Sequence, residues 1–106
     1  MADIKGMYGR MGQEMYLDLS NPILGEVHGW VMTRTSQVGL QFKPTANPIT
    51  HGWGMKFTTV EGDRTYSWSL SLSEVRLAGT RSFTYPDGLV EVENIDFVRI
   101  NKLPWT

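Results

Sequence analysis

Apolar and polar residues alternate along most of this chain with a period close to two, the repeat of a strand with one face buried and one face wet. The clearest stretch is Arg64 to Leu72, where Tyr66, Trp68, Leu70 and Leu72 alternate with Ser67, Ser69 and Ser71. It predicts a half-buried strand with an apolar face and a hydroxyl face. Met55 to Val60 forms the strand before it, and Glu61-Gly62-Asp63 between them reads as a hairpin turn. A second hairpin is predicted at Tyr85-Pro86-Asp87-Gly88, where proline pre-sets the turn and glycine takes the positive φ. Its arms run from Arg81 to Tyr85 and from Leu89 to Glu93. Further strands are predicted at Glu14 to Leu19, Glu26 to Thr33, Val38 to Phe42, Glu74 to Ala78 and Ile95 to Asn101. No stretch carries a 3.6-residue repeat. Lys43 to Thr50 reads as a loop in which Asn47-Pro48 has room for one helical turn, and Gly52 and Gly54 oppose a longer helix. The pattern predicts an all-β fold, either two packed antiparallel sheets or a small β-barrel. A single β domain over residues 1–106 is expected, with residues 1–12 as a flexible N-terminal arm.

Composition narrows the classes of partner. With 106 residues, 41% apolar and 20% charged, the chain belongs with ordinary globular proteins and not with disordered ones. A formal net charge of −1 offers no global field for nucleic acid or anionic membrane, and it removes repulsion that opposes self-association. Cysteine is absent, which excludes disulfides and thiolate metal sites and tilts the expected compartment towards the cytoplasm. The start, Met1-Ala2-Asp3-Ile4-Lys5, does not read as a signal peptide, and no window approaches the ~20 apolar residues of a membrane helix.

Candidate chemistry is sparse. His28 and His51, with Asp18 or Glu26, are the available metal ligands, but no H-E-x-x-H or similar spacing supports them. Ser67, Ser69 and Ser71 lie on one strand face without a nucleophile elbow. Glu91 and Glu93 share a strand face about 7 Å apart, a spacing open to acid–base work but ordinary for the outer face of a hairpin. Gly6, Gly9 and Gly12 lack the G-K-[ST] ending of a phosphate loop. They read as an arm whose Met7, Tyr8, Met11 and Met15 are adaptable contact residues. Trp30 and Trp68 are expected in the core, and Trp105, after Pro104, as an exposed anchor. The segment Val27-His28-Gly29-Trp30-Val31-Met32 echoes Thr50-His51-Gly52-Trp53-Gly54-Met55. Duplication and coincidence both account for that echo, and in either case glycine allows close backbone approach. No catalytic residue, metal or cofactor is expected, and the chain reads as a non-enzyme.

The run from His51-Gly-Trp-Gly-Met-Lys-Phe-Thr-Thr-Val to Tyr-Ser-Trp-Ser-Leu-Ser-Leu-Ser-Glu-Val75, continuing through Arg76-Leu77 to Val90-Glu-Val-Glu-Asn-Ile-Asp-Phe-Val-Arg-Ile100, resembles the closing strands of the Hcp and phage tail-tube proteins. Ile4-Lys5-Gly6 and Gly29-Trp30-Val31 resemble that family's opening strands in the right order. The resemblance implies a structural subunit that assembles with itself into rings, commonly hexameric, and meets other tail or baseplate proteins. Met7, Tyr8, Met11, Pro44, Asn47, Pro48, Phe83, Tyr85, Pro86, Asp87 and Trp105 would make the contacts. Membrane, sequence-specific nucleic acid and small-molecule substrates are not expected. The protein would be cytoplasmic before assembly and then part of a virion or secretion tube. The alternative is a monomeric or dimeric accessory protein of a phage or mobile element that binds one host protein.

Overall fold

The structure, a computed structural model, describes residues 3–105, and nine strands and no helix are found among them. The strands are β1 (Gly6–Arg10), β2 (Tyr16–Leu19), β3 (Val27–Met32), β4 (Gln37–Phe42), β5 (Thr45–Asn47), β6 (Gly52–Glu61), β7 (Arg64–Ser73), β8 (Arg76–Thr84) and β9 (Val90–Ile100). All pair antiparallel in one sheet of order β4-β3-β2-β1-β9-β8-β7-β6-β5. Two meanders, β1 to β4 and β5 to β9, are therefore joined where the first strand pairs with the last: Met7 lies opposite Ile100 and Arg10 opposite Phe97. The sheet curls strongly into a half-barrel around its apolar face. The all-β expectation holds, in the form of one continuous sheet.

The interior is crossed by a row of aromatic rings. Phe42 stacks on Phe57 at 5.4 Å, Phe57 on Trp68 at 5.4 Å, and Trp68 meets Phe97 at 6.5 Å. The row begins on edge strand β4 and continues on β6, so ring contact joins two strands that no ladder connects. Leu17, Leu19, Val27, Val31, Met55, Leu70, Leu72, Leu77 and Ile95 fill the space around it. Fully burying side chains of this kind contributes about 1.5–3 kcal/mol each.

Several predicted elements are corrected. Residues 6–10 do not belong to a free arm but form β1 in the middle of the sheet, and residues 1 and 2 of that arm lie outside the described residues. The glycines were misleading because Gly9 serves close packing: a Cβ there would stand 3.3 Å from the Tyr16 ring and 3.4 Å from Ile100. Glu74–Ala78 and Arg81–Tyr85 merge into β8, and Leu89–Glu93 and Ile95–Asn101 into β9. Gly79 does not break β8, because its bare α-carbon lets the Ser69 carbonyl pass where a Cβ would be 2.0 Å away. No helical turn forms after Asn47. Its Oδ1 accepts from the amides of Ile49 and Thr50, making a side-chain turn into β6.

The Gly-Trp echo is not a structural repeat, since Trp30 faces outward and Trp53 packs against the core. Its glycines nonetheless share one role. A Cβ on Gly29 would meet the Asp18 carbonyl oxygen at 2.1 Å, and one on Gly52 the Leu72 carbonyl oxygen at 1.9 Å. Gly54, two residues on, has its nearest neighbour at 3.7 Å. Gly52→Ala should therefore cost about 1–3 kcal/mol, and Gly54→Ala less than about 0.5 kcal/mol. Thermal unfolding of both variants checks this, and equal midpoints would refute the close-approach role of Gly52.

Candidate functional site

The residues expected at contacts fall in separate places. Tyr8 is 0% exposed, so it is no contact residue. Its hydroxyl donates to the Ile4 carbonyl at 2.8 Å and accepts from Arg99 Nη2 at 2.7 Å. Met7 is half-buried in β1, and Met11 is exposed in the turn that follows. Pro44 and Pro48 flank the short edge strand β5, which ends at Asn47 and whose three residues are all exposed. Phe83 and Tyr85 meet edge to face at 4.7 Å near the β8–β9 turn, with Pro86 and Asp87 exposed at its tip. Trp105 is not a free anchor: it packs edge-on to Tyr16 at 5.2 Å, with the Arg34 guanidinium 5.4 Å over its ring. Arg34 is held in turn by Glu14 at 3.1 Å.

Strand alternation puts a set of charged groups on the inner face, beyond the aromatic row. Arg81 is only 8% exposed. It lies 4.2 Å over Tyr66 and 5.2 Å over Trp68, and binds Glu93 through Nε at 3.0 Å and Nη2 at 3.3 Å. Arg10 reaches the same carboxylate at 3.4 Å. Glu61 is 3.5 Å from Arg81 and accepts from Thr59 Oγ1 at 2.9 Å, and that hydroxyl accepts from Trp68 Nε1 at 2.9 Å. Glu91 and Glu93 thus point inward, not to the outer face of the hairpin. Neither is poised as an acid–base partner for the other: Glu93 is forked by Arg81, and Glu91 accepts from the Tyr85 hydroxyl at 2.6 Å. That hydrogen bond, with the carboxylate's charge, raises the Tyr85 phenol. The network anchors the indole and the hairpin ends.

The outer side of β6 to β9 has the opposite character. The ladder places Thr58, Ser67, Ser82 and Val92 in one row across four strands. Lys56, Ser69, Thr80 and Asn94 form the next, and Gly54, Ser71, Ala78 and Asp96 the one after. Val60 with Thr65, and Thr84 with Val90, flank the first row. Lys56 and Asp96 are the only charged residues in these rows, and Asp96 is held by Arg76 at 2.9 Å. Val60, Val90 and Val92 are each more than half exposed. The serine alternation announced a hydroxyl face. The scarcity of charge across four strands needed the register, which sequence reading lacked.

On the outer side of β2 to β4, Trp30 is 44% exposed, against the expectation of a core position. It lies opposite Asp18 on one side and Gly39 on the other. His28 is opposite Gln41 on the same face, and its amide donates to Ser20 Oγ at 3.1 Å. An open groove of about 750 Å³ runs past these residues to Lys5 and to Thr58 of β6. His28 lies 4.0 Å from Glu26, whereas His51 occupies the turn before β6 with φ 57°. Among the described residues no group of three or more His, Asp or Glu side chains is placed to hold a metal ion. Among the described residues no helix is long and apolar enough to cross a membrane.

The inner charge network carries a pH dependence. Partial burial alone would raise the Glu93 carboxyl, but hydrogen bonds and charge from Arg81, then Arg10, outweigh it and hold the group below the ordinary glutamate value. A lowered folded-state pKa means the ionised form stabilises the fold above the unfolded value, about 4.3, and that this contribution is lost as pH falls through the folded one. Glu93→Gln should accordingly narrow the stability difference between pH 7 and pH 3. Denaturant unfolding at the two pH values measures it, and an unchanged difference would contradict the assignment.

Comparison with known proteins leaves the geometry to speak for itself: no family model matches the chain, and neither a curated protein nor a solved structure does.

Proposed function

We propose that this chain is a non-enzymatic structural subunit that assembles with copies of itself into rings, in the manner the Hcp and tail-tube resemblance implies. The observation that carries this reading is the charge-poor outer face of β6 to β9, where the rows from Val60 to Val92 hold only valine, threonine and serine and the charges beyond them are Lys56 and the Arg76–Asp96 pair. Packing such a face against a second surface costs little desolvation, because it carries few charges to strip of water. Sheets pack face to face about 10 Å apart, so association here would supply the second layer of a two-sheet sandwich. The free edges support the same reading. The sheet ends at β4 and at the three-residue β5, and pairing the β4 edge of one copy with the β5 edge of the next is a head-to-tail contact that can close a ring. The net charge of −1 leaves little long-range repulsion to overcome. Other tail or baseplate proteins would then meet the ring through the exposed β8–β9 tip and the Pro44–Pro48 segment.

Light scattering on a size-exclusion column, with negative-stain images of the peak, tests the proposal. Rings are expected for the unaltered chain, and the double variant Ser67→Lys, Val92→Lys should run as a folded monomer. A strict monomer at the highest soluble concentration would overturn the reading and favour a one-partner accessory protein.

A further inference from the structure

We infer that the groove beside Trp30 binds a neutral pyranose sugar, with the indole as the platform for the sugar ring. The inference rests on the outer face of β2 to β4 and is independent of self-assembly. Alternation in β3 turns Val27, Gly29 and Val31 inward and His28 and Trp30 outward. The indole lies across the neighbouring strand at a residue without a side chain: a Cβ on Gly39 would stand 3.5 Å from Cζ3 of Trp30. A larger residue there would lift the ring off the sheet. An aromatic ring is thus held against the backbone while remaining 44% exposed.

The groups around the ring fit the rim of a sugar. Asp18, directly across from Trp30 on β2, is an acceptor, and Lys5 is a donor. Gln41, His28 and Thr58 each offer both capacities, while the Ser20 hydroxyl, engaged with the Asn21 carbonyl and the His28 amide, shapes the rim. A pyranose has the complementary make-up: an apolar C–H face, attracted to the negative π face of the indole, and hydroxyls that donate and accept around its edge. An apolar ligand would leave Asp18, Gln41 and Lys5 desolvated without partners. A phosphate-bearing ligand would meet the Asp18 carboxylate, with Lys5 the only Lys or Arg in the lining. The groove's volume, about 750 Å³, falls within the roughly 300–1,000 Å³ of small-molecule sites. Its open form suits a few linked rings rather than an enclosed monosaccharide.

Maltotriose, cellotriose, mannotriose and triacetylchitotriose are the probes, each added to the intact protein. Saturation-transfer NMR and tryptophan fluorescence read binding at any oligomeric size. At least one trisaccharide should bind saturably. Trp30→Ala should weaken it about tenfold or more, and Gly39→Val should weaken it too. Trp105→Ala should bind as the unaltered chain does, and thermal midpoints establish that each variant is folded. Absence of binding by all four probes, or binding that survives Trp30→Ala, would overturn the inference. Light scattering on the same samples keeps the two proposals apart: a monomer that binds sugar removes only the assembly reading, and a ring that binds none removes only this one.

Discussion

Pairing of the first strand with the last is the contact on which the rest of this architecture depends. Hydrogen bonding between β1 and β9 turns a four-stranded meander and a five-stranded one into a single sheet. Side chains fasten the junction at both ends. Arg99 of β9 binds the carbonyls of Asp3 and Lys5, donates to the Tyr8 hydroxyl, and lies 5.1 Å over the Tyr8 ring. Burial raises the Tyr8 phenol, with the Arg99 charge working against it, so Tyr8 stays a neutral donor to Ile4. At the other end Arg10 of β1 reaches Glu93 and the Asn94 carbonyl of β9, and the Met11 amide donates to Asp96. Tyr8 and Arg99 are 91 residues apart in sequence, so nearly the whole chain is closed into a loop by their contact. The entropic cost of that closure rises only slowly with length, but the non-local pairing predicts slow folding.

Joining the halves along β1 and β9 leaves the opposite side of the curl to close by other means. There β4 and β6 face each other without a ladder, and the Phe42–Phe57 stack spans the gap. Closure by rings rather than backbone bonds leaves the outer edge of β4, and that of β6 beyond its short pairing with β5, without a ladder partner in the chain. It also shapes the groove beside Trp30, whose one wall is β2 to β4 and whose other is Thr58 of β6. Both surfaces with functional potential are thus set by how far the sheet curls before its aromatic seam meets.

How much of this was legible in the sequence depended on whether one strand or several decided the outcome. Met55–Val60 and Arg64–Leu72 lie inside β6 and β7 because strict alternation and the Glu61-Gly62-Asp63 turn fix a hairpin locally. Trp30 was misplaced because β3 offers two inner faces, one of Val27, Gly29 and Val31 and one of His28, Trp30 and Met32. Side-chain size favours the second, and what settles the choice is that Leu17 and Leu19 of β2 need neighbours on the first. The same limit hid β1, whose glycines spell flexibility in one dimension and close packing against Tyr16 and Ile100 in three. Trp105 went wrong the other way, since its partners Tyr16 and Arg34 lie far back in the sequence.

The distribution of charge ties these findings to function. A solvated sheet ordinarily keeps charge outside and hydrocarbon inside, yet in β6 to β9 the carboxylates and guanidiniums of Glu61, Arg81 and Glu93 sit on the inner face, while the rows from Val60 to Val92 on the outer face carry none. Partly buried ion pairs of this kind contribute little net stability relative to apolar packing, so stability alone does not account for placing them there. They do specify geometry: Arg81 can fork Glu93, stack on Tyr66 and Trp68, and reach Glu61 in only one register of β7, β8 and β9. A slip of one residue would drive every one of those charges to the outer face and every outer hydroxyl inward. With register secured from within, the outer rows from Val60 to Val92 have no need of charge to define them, and it is their valines and hydroxyls that the proposed assembly would cover.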